Sequence, residues 1–134
     1  MKEFECKIRV RYSETDQMGV VYHGNYAQYF EVGRVEMLRN IGASYKLMEE
    51  RGVMLPVVSL SMNYKKPAHY DDLLTIKTIL KNQTSVKLEF DYEIYNENDE
   101  LLTIANSVLV FVDMKTGRPM QPPADIKALF LKLK

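Results

Sequence analysis

The sequence predicts an α+β domain: one curved antiparallel sheet of about five strands wrapped around a long central helix. Three observations carry the prediction. Residues 3–12 alternate between polar and apolar side chains, the period of a half-buried strand. Tyr26, Phe30, Gly33, Met37 and Ile41 form one apolar stripe at helical spacing. Strand-like runs then recur to residue 112, and the links between the last three are too short for parallel crossovers. The 134 residues, 46% hydrophobic and 27% charged, make a single domain, 1–134, with no repeat or linker.

In the first strand Phe4, Cys6, Ile8, Val10 and Tyr12 alternate with Glu3, Glu5, Lys7, Arg9 and Arg11. A polar turn follows, and the long helix opens at Asn25. Asn25 suits an N-cap, with Gln28 three residues on as a variant capping box. Gly42 sits where a C′ glycine ends a helix. Gly33, on the buried stripe, costs about 1 kcal/mol against alanine, which a close approach of helix to sheet would offset. Ser44 caps a second short helix ending at Arg51, with Gly52 as its stop.

Four further strands follow. Val58, Leu60, Met62 and Tyr64 alternate with Ser59, Ser61 and Asn63. Leu74, Ile76, Thr78 and Leu80 repeat the pattern less cleanly because of Ile79. Val86, Leu88, Phe90, Tyr92 and Ile94 alternate with charged residues. Leu101 to Val112 is apolar on both faces, which places it centrally in the sheet or under another subunit. Asn82–Ser85 and Asn96–Glu100 suit hairpin turns. After Pro122-Pro123, the residues Ile126, Leu129, Phe130 and Leu133 mark a closing amphipathic helix.

Lys plus Arg and Asp plus Glu are 18 each, so the chain lacks the basic excess of a non-specific nucleic-acid binder. The single cysteine, Cys6, excludes an intramolecular disulfide. With Met1–Phe4 running straight into a strand, there is no room for an apolar signal core, and a cytoplasmic location is expected. No apolar run approaches the roughly 20 residues of a membrane-spanning helix, so no membrane partner is expected. With two histidines, His23 and His69, a histidine-rich metal site is not expected.

The chemistry concentrates between Arg11 and Tyr26. Asp16 is a carboxylate in a turn just before a helix N-terminus, whose unpaired N–H groups and partial positive charge suit a developing oxyanion. Taken alone, Asp16 reads as a residue that hydrogen-bonds its own turn. The surrounding pattern reverses that reading. Thr15-Asp16, Gly19-Val20-Val21-Tyr22-His23, Asn25-Tyr26, Tyr29-Phe30-Glu31 and Arg34 resemble the motif of the hotdog-fold acyl-CoA thioesterases, closest to the 4-hydroxybenzoyl-CoA and tol-pal-associated (YbgC-like) branch. The order of strands and helices extends the resemblance over nearly the whole chain.

The resemblance implies a hydrolase that splits an acyl-CoA into free acid and CoA. Asp16 would attack the thioester or activate a water against it. The backbone near His23 and Gly24 would polarise the carbonyl. No cofactor is implied beyond the CoA of the substrate, and a homodimer or homotetramer is implied. His23 orients water or substrate, or fills the helix start. Tyr22 and Tyr26 are packing residues lining the site, and Asn25 is a cap first. Glu31 and Arg34, three apart, form a surface ion pair or a subunit contact. Ser59 and Ser61 sit in no G-x-S-x-G elbow, so they are not nucleophiles; by analogy their strand end lines the site across a subunit interface. Lys65 and Lys66 form a solvated turn or meet the phosphates of CoA, as Arg118 could. Cys6, on the apolar face of a strand, is not a nucleophile. Two competing readings are a hotdog module that binds an acyl ligand without turnover, and an acyl carrier protein thioesterase. A hydroxyacyl dehydratase of the same fold is a third.

Overall fold

The computed structural model describes residues 3–131. Five strands form an antiparallel sheet in the order β1-β4-β5-β6-β3: β1 (Glu3–Arg9), β3 (Val57–Tyr64), β4 (Leu73–Gln83), β5 (Lys87–Tyr95) and β6 (Leu101–Val110). The long helix α1 (Tyr26–Asn40) lies on one face of it. This is the expected hotdog arrangement. α2 (Tyr45–Glu50) follows α1, and α3 (Ala124–Leu131) closes the described chain. Leu133 of the anticipated closing helix lies outside the described residues.

The buried face of α1 is broader than the five-residue stripe, because Tyr29, Arg34 and Leu38 are buried beside it while Ile41 is half-buried. Opposite it, Leu74, Ile76, Leu88, Phe90, Tyr92, Ile94 and Leu109 supply the sheet side of the core. Gly33 fits this face because it has no side chain. A Cβ there would stand 2.5 Å from Thr78 Oγ1 and 2.9 Å from Ile76 Cγ2. The helix propensity lost at Gly33 therefore permits close packing on β4. Gly42 and Gly52 both adopt positive φ, +87° and +78°, at the ends of α1 and α2, and Ser44 Oγ caps α2 by accepting the Leu47 N–H at 3.1 Å.

The anticipated surface pairing of Glu31 with Arg34 is not formed. Glu31 is exposed and Arg34 is buried, donating to the Tyr45 hydroxyl at 2.8 Å and the Tyr92 hydroxyl at 3.1 Å. Burial pushes both phenols up, with Arg34 countering only part of the effect, so they stay neutral. The guanidinium is thus held by two phenols and by no carboxylate among the described residues.

The two-sided run from Leu101 divides at Phe111. β6 is interior to the sheet, as expected of a two-sided strand. The last residues form β7 (Val112–Asp113), which pairs with β2 (Val53–Met54) in a separate two-stranded ribbon that the sequence reading did not contain. The edge strand β3 leaves its outer side unpaired among the described residues, and Val57, Val58 and Leu60 on it are exposed.

Candidate active site

The segment between β1 and α1 folds into a small hairpin with Asp16 close to its tip. The Tyr22 N–H donates to the Glu14 carbonyl at 3.0 Å, Thr15 bridges Val21, and the Asp16 N–H donates to the Val20 carbonyl at 2.9 Å. Gly19 makes the reversal possible by adopting φ +77°. A second segment clamps the hairpin from outside. Val21 N–H donates to the Ala68 carbonyl at 2.8 Å, Val20 bridges His69, and Asp71 N–H reaches back to the Val10 carbonyl at 3.0 Å.

Asp16 does make its own turn, since Oδ1 accepts the Met18 N–H at 2.8 Å. That bond occupies one carboxylate oxygen. Among the described residues no donor engages Oδ2, and the residue is only half-buried. The turn role and a chemical role are therefore compatible, because the first fixes the orientation of the oxygen left for the second.

The chain passes from the hairpin into a single 3-10 turn, His23–Asn25, and then into α1. The Asn25 N–H pairs with the Tyr22 carbonyl at 2.9 Å, whereas the N–H groups of His23 and Gly24 find no acceptor among the described residues. Both residues are exposed, at the positive end of a 15-residue helix. The Tyr22 ring lies against the His23 ring, centroids 4.4 Å apart, and covers Gly24 closely enough that a Cβ there would fall 2.7 Å from it.

Asn25 is not the cap the sequence suggested. Its backbone is already helical (φ −86°, ψ −14°) and its side chain caps nothing. The carboxamide Nδ2 donates instead to the Glu14 carbonyl at 2.8 Å, tying the helix start to the hairpin.

His23, Tyr26, Lys65 and Lys66 line one cleft of ≈ 220 Å³, together with Val21 and Tyr64. Tyr64 ends β3 with its ring 5.2 Å from Tyr26 and its hydroxyl 3.4 Å from the His23 carbonyl. Lys66 is paired with Glu100 at 2.7 Å, and Lys65 has no carboxylate partner among the described residues. Ser59 and Ser61 are not brought to this cleft within one chain. Their register with Val108 and Asn106 puts them on the sheet face away from α1, where Ser61 lines a groove with Asp91 and Asn106. Cys6 is half-buried, and burial, followed by the charge of Glu36, pushes its thiol up, away from thiolate chemistry.

Three residues of the site had no site role assigned from sequence: Glu14, Tyr29, which the motif contains, and Tyr64. Tyr29 and Tyr64 were visible as an aromatic beside the helix stripe and as the last apolar residue of a strand. Glu14 falls in phase with the apolar positions 4–12, but it lies in a 3-10 turn beyond β1 and its charge suggests solvent. No cluster of metal-ligating side chains occurs among the described residues.

Residues 10–130 match the thioesterase-like superfamily. The chain is 42% identical over 115 residues to YneP, a candidate acyl-CoA thioesterase of Bacillus subtilis, an alignment covering 86% of this chain and 83% of the relative. It is 35% identical over 127 residues to the acyl-CoA thioester hydrolase YbgC of Escherichia coli, covering 95% of each. Among solved structures, the DHNA-CoA thioesterase from Staphylococcus aureus superposes with a TM-score of 0.94 at 36% identity, covering 98% of this chain and 91% of that one. Together with the hotdog sheet, the Asp16 hairpin and the open helix start, these matches establish that the chain belongs to the thioesterase-like superfamily.

Proposed function

We propose that the protein hydrolyses acyl-CoA thioesters to the free acid and CoA. The observation that carries this reading is the Asp16 carboxylate, with one oxygen fixed and one free, on a hairpin bonded into a helix start whose first N–H groups are unfilled. The names of the E. coli and S. aureus relatives support the reaction class.

In the nucleophilic route Asp16 Oδ2 attacks the thioester carbonyl, the C–S bond breaks, and CoA leaves as a thiolate that takes a proton from water. Water then cleaves the acyl-aspartyl anhydride. In the general-base route Asp16 takes a proton from a water that attacks directly. Either way charge develops on the carbonyl oxygen, and the His23 and Gly24 N–H groups receive it, a reading supported by their lack of an acceptor among the described residues. One such donor is worth about 3 kcal/mol in comparable oxyanion sites. The reaction needs no metal or cofactor beyond the CoA of the substrate. Tyr22, Tyr26 and Asn25 border the acyl group, and Lys65, with Lys66 if released from Glu100, meets the CoA phosphates.

The working form is a homodimer or larger homo-oligomer. The open edge of β3, with Val57, Val58 and Leu60 exposed, offers a surface for a second copy, and such pairing would bring Ser59 and Ser61 to a subunit boundary. No helix among the described residues is long and apolar enough to cross a membrane, and the lone cysteine fits a reducing cytoplasm.

One observation favours a second reading. The bond from Met18 to Asp16 is what a purely structural aspartate would make, as in a module that binds an acyl ligand without turnover. Thiol release from short, long and aromatic acyl-CoAs, with wild type and Asp16→Ala, separates the two. The hydrolytic reading expects turnover that falls by about 10³-fold or more in the variant. Equal turnover in both proteins would sink the role of Asp16, and a folded wild type idle toward every acyl-CoA and acyl carrier protein thioester would leave the binding module.

A further inference from the structure

Glu14 joins the pieces that the hydrolytic reading requires to be held together. Its buried Oε1 accepts the Tyr29 hydroxyl at 2.9 Å and the Arg11 backbone N–H at 2.8 Å. Its Oε2 takes the Arg11 guanidinium through Nη2 at 2.9 Å and Nε at 3.2 Å. Its backbone carbonyl accepts the Tyr22 N–H at 3.0 Å and Asn25 Nδ2 at 2.8 Å.

The positions of these partners matter. Arg11 follows the end of β1, Tyr22 immediately precedes His23, and Asn25 and Tyr29 belong to the helix start. Asp16 lies two residues beyond Glu14 on the same short hairpin. One residue therefore binds strand end, hairpin and helix start at once, through both its side chain and its main chain. A carboxylate buried with four donors is well satisfied and held in one place. Asp16 is also tied to Val20 through its own N–H at 2.9 Å, and Glu14 adds the bonds from Tyr22 and Asn25, the residues on either side of His23 and Gly24.

We propose that Glu14 is a positioning residue for hydrolysis, holding the Asp16 hairpin in register with the oxyanion-binding start of α1. The proposal rests on the hydrolytic reading above. Its chemistry is geometric: a displacement of about 1 Å between reacting groups can cost about 100-fold in rate. Gln at this position keeps length and one acceptor, but it turns an amide NH₂ toward the Arg11 guanidinium, donor against donor. Asp keeps the charge and shortens the reach to Tyr29.

The test uses the full chain as wild type, Glu14→Gln, Glu14→Asp, Tyr29→Phe and Glu14→Gln/Tyr29→Phe, assayed with the best acyl-CoA at a temperature where all are folded by circular dichroism. We expect kcat to fall by about 10- to 100-fold in Glu14→Gln with KM within about 2-fold, partial recovery in Glu14→Asp, and a double variant no worse than Glu14→Gln. A folded Glu14→Gln with wild-type kcat would overturn the proposal, as would losses at Glu14 and Tyr29 that simply multiply. If wild type turns over no thioester, the hydrolytic reading fails separately. Amide hydrogen exchange then decides the register: protection of the Met18 and Tyr22 N–H groups falling by about tenfold or more in Glu14→Gln upholds the junction, and unchanged protection overturns it.

Discussion

The Tyr29 hydroxyl donates to Glu14 Oε1 at 2.9 Å across 15 residues of sequence, and both groups are buried. Burial, and then the Glu14 carboxylate, pushes the Tyr29 phenol up, so it remains the donor. Burial alone would push the Glu14 carboxyl up as well. The bonds from Arg11 and Tyr29 outweigh it and hold Glu14 below the ordinary range. A folded pKa below the unfolded one contributes stability above the ordinary glutamate range near about 4.3, and that stability is lost as pH falls through the lower folded value. Urea midpoints measured between about pH 3 and 6 should therefore fall more steeply for wild type than for Glu14→Gln. Parallel curves would show that Glu14 does not titrate differently on folding.

Asn25 offers a sharper test of role. A capping residue tolerates Asp or Ser, which cap as well as Asn does. A donor to the Glu14 carbonyl does not tolerate Asp, whose carboxylate would face another acceptor. We expect Asn25→Asp to destabilise by about 1–3 kcal/mol, at least as much as Asn25→Ala. Thermal melts near neutral pH check the order, and an Asp variant as stable as wild type would restore the cap.

Gly33→Ala sets two terms against each other. Alanine gains about 1 kcal/mol of helix propensity. The added Cβ meets Thr78 Oγ1 and Ile76 Cγ2 well inside contact distance, and both belong to a packed central strand. Overpacking costs about 1–3 kcal/mol, so a net loss of up to about 2 kcal/mol is expected from denaturant unfolding. A stabilised variant would mean the helix can lift off the sheet at little cost.

Arg34 is a buried cation supported by phenols. Tyr45→Phe removes one acceptor and leaves part of the charge unpaired, a loss of about 1.5–3 kcal/mol. In an Arg34→Met background the same change should cost less than about 0.5 kcal/mol, because no donor is stranded. A double-mutant cycle by urea unfolding reads the coupling. Additive losses would show that Tyr45 acts through packing alone.

Most of the scaffold was legible because its elements are long enough to show a period. The strand of residues 3–9, the helix of residues 26–40 and the later hairpins all announce themselves by alternation, helical spacing or turn residues. The two-residue strands β2 and β7 are too short to have a period, so their ribbon was invisible. Arg34 was misplaced because charge suggests solvent, although its spacing from Phe30 and Leu38 puts it on the buried face. Asp16 could be found through its motif and its proximity to a helix start. Glu14 could not, since it lies in a 3-10 turn beyond the strand whose phase it shares, and its charge reads as one more surface acid.

The outer edge of β3, unpaired among the described residues, has a consequence for the life of the isolated chain. An apolar strand rim with open backbone groups is adhesive to any extended peptide, including its own nascent copies. Dilution alone would not make such a protomer safe; it would prolong the interval in which wrong pairings compete with right ones. Charges engineered onto Val58 or Leu60 should therefore relieve aggregation of the isolated chain and, if the proposed homo-oligomer pairs through this edge, bar that pairing too, so that both would draw on the same eight residues of β3.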